Sequence, residues 1–124
     1  MPIRPVLSRR LAGAAILLTA LAPRLAHAHA ILEESQPEPG GSIPAGTVAL
    51  RLRFNSRIDL TRSRLLLTAP DRTQTTLTIL QGGPPDIVGA NLELKPGAYA
   101  VRWQVLAIDG HITRGDVPFT VTEH

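Results

Sequence analysis

Cysteine is absent from the 124 residues, methionine occurs only at Met1, and the aromatic side chains are Phe54, Tyr99, Trp103 and Phe119. Without cysteine no disulfide staples the fold and no thiolate holds a metal, so histidine, carboxylate and backbone groups are the ligands left. One methionine is too few for a thioether site of the kind that holds soft ions. Four aromatics are too few to stack nucleobases. Long uninterrupted helices are also excluded, because prolines and glycines recur along the chain as Pro37-Glu38-Pro39-Gly40-Gly41, Pro44-Ala45-Gly46, Pro70-Asp71, Gly82-Gly83-Pro84-Pro85 and Lys95-Pro96-Gly97.

What is present begins with a leader pattern. Arg4, Arg9 and Arg10 precede the apolar run from Leu11 to Leu21, and Ala26-His27-Ala28 supplies the small-x-small cleavage signature. The run is too short to span a bilayer, which takes about 20 residues. Residues 1–28 are therefore expected to be a cleaved signal peptide, and residues 29–124 a mature domain starting at His29. The leader holds four of the 13 basic residues and none of the 10 acidic ones. Its removal leaves a slightly acidic chain, with no basic surface for nucleic acid.

The mature segment alternates apolar and polar residues with the period of half-buried strands. Val48, Leu50, Leu52 and Phe54 share one face opposite Arg51 and Arg53, Tyr99, Val101, Trp103 and Val105 share another, and Val117, Phe119 and Val121 a third. Weaker strand patterns cover residues 29–35, 64–69, 75–80 and 87–94. About seven short strands separated by turns predict an all-β fold, an immunoglobulin-like antiparallel β-sandwich or Greek-key β-barrel, in one domain. Leu94-Lys95-Pro96-Gly97-Ala98-Tyr99 has the form of a tyrosine corner, in which the hydroxyl bonds back to the chain. Tyr99 and Trp103 are accordingly assigned to structure. Arg114-Gly115-Asp116 spells an adhesion tripeptide, but its glycine between opposite charges predicts an ordinary turn.

Four histidines remain to be placed. His27 belongs to the leader, and His124 ends the chain, where order is not expected. His29, as the first mature residue, would offer a free α-amino nitrogen and a ring nitrogen to one metal ion. The Asp109-Gly110-His111 tripeptide is a hairpin-turn signal, yet its two side chains can converge on one ion whether the backbone is extended or tight. His29, Asp109 and His111 together supply three nitrogens and one oxygen, a set that suits copper(II) in a tetragonal plane.

His29-Ala30, Ser35-Gln36-Pro37, the strand ending at Phe54, Pro96-Gly97-Ala98-Tyr99, Val101-Arg102-Trp103, and Asp109-Gly110-His111 followed by Gly115 and Phe119-Thr120-Val121 resemble the CopC family of periplasmic copper-resistance proteins. The resemblance covers essentially the whole mature chain. It implies a periplasmic, monomeric copper(II) carrier or buffer for copper homeostasis, without turnover. One ion per chain would be held by His29, Asp109 and His111, and an inner-membrane CopD-like copper transporter is the implied partner. The chain departs from the family pattern in lacking a methionine-rich copper(I) loop, in carrying Phe54-Asn55-Ser56-Arg57 where relatives have Phe-Ser-Glu-Pro, and in placing Ala107 where they have serine. Two other functions fit parts of the pattern. An oxidative copper enzyme of the histidine-brace type would share the amino-terminal histidine, but this short chain lacks aromatics to grip a glycan. A metal-free interaction module would leave both histidine positions unexplained.

Overall fold

The computed structural model describes residues 30–123. The leader boundary, His29 and His124 lie outside the described residues. Eight strands make up this part: β1 (Leu32–Gln36), β2 (Gly41–Pro44), β3 (Gly46–Phe54), β4 (Arg64–Thr68), β5 (Gln74–Thr76), β6 (Ile87–Leu94), β7 (Gly97–Leu106) and β8 (Ile112–Thr122), with a single 3-10 turn at Leu60–Arg62. They form two sheets, ordered β1-β3-β6 and β2-β8-β7-β4-β5. The expected sandwich is thus the architecture.

Its core follows the alternation. Val48, Leu50, Leu52 and Phe54 from β3 face Val101, Trp103 and Val105 from β7 and Val117, Phe119 and Val121 from β8, all of them buried. Leu65 and Leu67 of β4 and Val88 and Ala90 of β6 complete one continuous apolar cluster. Each such aliphatic or aromatic side chain contributes about 1.5–3 kcal/mol when fully buried. That supply stands in for the missing disulfides.

Three local expectations need correction. The segment Gly41–Pro44 lies between two proline-glycine signals and carries no strand pattern, yet it forms β2, the one described strand paired in parallel, against Phe119–Thr122 of β8. Proline is tolerated there because β2 is an edge strand with one side unpaired. Residues 75–80 yield only the end of β5, because the chain then changes sheets. Leu77 N–H still donates to Leu65 C=O at 2.9 Å, whereas Leu80 N–H donates to Gly89 C=O of the opposite sheet at 2.9 Å. Finally, Arg114-Gly115-Asp116 is no turn but the middle of β8, opposite Gln104, Trp103 and Arg102. Its charges are used locally: Arg102 Nε lies 3.0 Å from Asp116 Oδ1, and Arg114 Nε donates to Gln104 Oε1 at 2.7 Å.

The tyrosine corner is present. Tyr99 Oη donates to Lys95 C=O at 2.8 Å, and its ring stacks on Phe119 with centroids 5.8 Å apart. Tyr99→Phe keeps the stacking and removes the hydrogen bond, so unfolding in urea should register a loss of about 1 kcal/mol.

Candidate metal centre

The hairpin joining β7 to β8 carries Asp109 and His111. Gly110 N–H donates to Ala107 C=O at 2.9 Å, and Ala107 N–H donates to His111 C=O at 2.9 Å. Gly110 sits at φ +95°. This is a three-residue loop built on a tight turn and closed by a left-handed residue, a position glycine occupies without steric cost.

The loop is braced from below. Ile58 and Ala107, both buried, form an isolated bridge. Ile108 N–H donates to Arg57 C=O at 3.0 Å, and Asp59 N–H donates to Leu106 C=O at 2.9 Å. Ser63 Oγ accepts from Leu106 N–H at 3.1 Å while donating to Asp59 C=O at 2.7 Å. Backbone on both sides of the loop is therefore committed, which limits how far Asp109 and His111 can drift.

Within the loop the two side chains meet. Asp109 Oδ1 accepts from His111 N–H at 3.1 Å, and Asp109 Oδ2 lies 3.2 Å from His111 Nδ1. The His111 backbone N–H, with the imidazole after it, holds the Asp109 carboxyl below the usual carboxylate range. Both side chains are about half exposed, at 44% and 48%, so an ion can reach them from solvent. Two ligands on adjacent corners of a square plane, each about 2.1 Å from a metal, stand about 3 Å apart. The Asp109–His111 separation is close to that value.

The turn reading and the ligand reading of Asp109-Gly110-His111 are thus compatible: the turn is what turns the two side chains toward each other. Among the described residues no group of three or more histidine, cysteine or acidic side chains gathers. The pair alone offers two donors, and His29, the third residue expected from the sequence, lies outside the described residues.

Two residues that the sequence did not single out sit beside this hairpin. Thr113 Oγ1 donates to Ala30 C=O at 3.0 Å, and Asn55 Oδ1 accepts from Ile31 N–H at 2.8 Å. Thr113 shares the inward face of β8 with Gly115 and Val117, and a polar residue at such a position was the available signal. Asn55 carries no comparable pattern.

Comparison with known proteins agrees with this architecture. The CopC domain model matches residues 32–122, from the first residue of β1 to the last of β8. The chain belongs to the CopC family. Protein YobA of Escherichia coli K12 is 32% identical over 111 residues, covering 86% of this chain and 90% of that one. Among solved structures, CopC from Methylosinus trichosporium OB3b superposes with a TM-score of 0.69 at 25% identity, over 77% of this chain and 96% of that one. PcoC, a copper resistance protein from Escherichia coli, superposes with a TM-score of 0.62 at 24% identity, over 74% and 99%. The latter likeness is one of fold. In this CopC-family chain the Asp109–His111 hairpin and the entry of the chain at Ala30 stand at the same end of the sandwich.

Proposed function

We propose that this protein is a periplasmic copper(II) carrier or buffer, exported by the leader of residues 1–28 and starting at His29. One copper(II) ion is held by the amine and ring nitrogen of His29 together with Asp109 and His111. The observation that carries the reading is the convergence of Asp109 Oδ2 and His111 Nδ1 to 3.2 Å on a half-exposed, braced hairpin, at the end of the sandwich where Ala30 is tied to β8. Membership of the CopC family supports copper as the cargo. The donor set supports the oxidised ion, because nitrogen and oxygen ligands suit copper(II) and thioethers are missing beyond Met1. Binding and release, without turnover, is the activity these residues explain, and an inner-membrane copper transporter is the proposed recipient.

Electron paramagnetic resonance of the processed protein with one equivalent of copper(II) tests the site. The spectrum should show nitrogen hyperfine structure that simplifies in His111→Ala. A protein carrying one extra residue before His29 should show a different spectrum. Identical spectra from all three would remove both histidines from the site.

A further inference from the structure

The chain enters the sandwich through two residues that are pinned from both sheets. Ala30 is 3% exposed, and its carbonyl accepts from Thr113 Oγ1 at 3.0 Å. Ile31 N–H donates to Asn55 Oδ1 at 2.8 Å, and Asn55 N–H returns a bond to Ile31 C=O at 3.1 Å. Thr113 belongs to β8 of the five-stranded sheet, whereas Asn55 follows β3 of the three-stranded one. Thr113 is half-buried and Asn55 is exposed. Ile31 itself is exposed, at 54%, so apolar burial does not hold this residue in place.

The location gives these bonds a use. Thr113 is two residues beyond His111, a span of roughly 7 Å along a strand. Ala30 is bonded to it, and the residue before Ala30 is one Cα step of about 3.8 Å away. We propose that Thr113 and Asn55 are positioning residues for copper(II): by latching Ala30 and Ile31 across the two sheets they present the mature amino terminus to the Asp109–His111 hairpin. The inference rests on the copper reading above and adds to it the residues that preorganise the terminal ligand. Without the latch, metal binding has to order a loose chain end, and each backbone residue so ordered lowers affinity by on the order of tenfold. Groups that orient ligands without touching the metal commonly change affinity by about 10- to 100-fold.

The test compares copper(II) affinity, by competition with a chromophoric chelator, and paramagnetic resonance spectra across variants of the processed protein. Thr113→Val should bind about tenfold more weakly with an altered spectrum, and Thr113→Ser, which restores the hydroxyl, should recover both. In a His29→Ala background whose terminal amine is also acetylated, Thr113→Val should have no further effect, because neither terminal nitrogen remains to be positioned. Asn55→Ala, at an exposed side chain, provides a second variant should Thr113→Val fold poorly, with the same expected loss and the same dependence on the two terminal nitrogens. If His29→Ala weakens binding while Thr113→Val and Asn55→Ala bind like the parent, the latch is overturned and the copper reading stands. Equal losses with both terminal nitrogens present and with both removed would also overturn the latch, since they mark a general structural effect. Wild-type affinity in His29→Ala would overturn the copper reading, and the latch with it.

Discussion

Copper(II) binding to the processed protein should weaken by at least about 100-fold between pH 8 and pH 6. A free terminal amine titrates near 8, and it binds metal only after losing its proton, so each unit below that value lowers affinity by about tenfold. Asp109 does not add to the slope. Its folded pKa is lowered, with the His111 backbone N–H as the main cause, so the carboxylate stays ionised throughout the window. The sign follows for stability as well. A depressed carboxyl pKa contributes stability that is fully present above the unfolded value near 3.9 and is lost only as pH falls through the lower folded value. Chelator competition at pH 8, 7 and 6 measures the dependence. Acetylation of the amine should weaken binding and flatten the profile, and a parent profile already flat would exclude the amine as a ligand.

Gly115→Ala should cost about 3 kcal/mol of stability, at the upper end of what overpacking a core produces. A Cβ added at Gly115 would stand 2.3 Å from Cζ2 and 2.6 Å from Cε2 of Trp103. Neither atom is the end of a flexible chain. Trp103 lies directly across the ladder from Gly115, is 7% exposed, and meets Phe54 edge-on at 5.1 Å. Its Nε1 is buried with no hydrogen-bond partner among the described residues, so the indole is held by packing alone. The alanine must displace either the indole or the β7–β8 ladder. Urea unfolding followed by fluorescence of the single tryptophan reads the loss. Gly83→Ala is the control, since a Cβ there meets nothing within 4 Å and Gly83 is not in the left-handed region. An equal effect at both positions would show that the indole contact is not the cause.

Fold class was readable because Val48 to Phe54 and Val117 to Val121 alternate strictly, and only strands with one buried face satisfy that period. Tyr99 was readable because its corner is local, its acceptor at Lys95 lying four residues upstream. Gly115 was harder. Flanked by Arg114 and Asp116 it has the composition of a turn, and only the cross-strand register that sets it beneath Trp103 explains a glycine in mid-strand. β2 was hidden for a related reason: four residues closed by Pro44 lack a periodic signal, and their pairing partner lies some 80 positions later in the chain.

The candidate site divides in the same way. Asp109-Gly110-His111 was legible as a turn that brings a carboxylate and an imidazole together because all its relations are local. The bond from Thr113 to Ala30 spans 83 positions and that from Asn55 to Ile31 spans 24, and no spacing rule connects such residues. By itself the sequence determined the strand faces, the core side chains, the hairpin turn and the supply of metal-binding groups, since each depends on neighbours a few residues apart. Tertiary structure alone decided which strands pair, why Gly115 must be glycine, and how Ala30 and Ile31 are fastened beside the hairpin. Those outcomes depend on contacts between distant segments, which exist only once the two sheets have closed on one another.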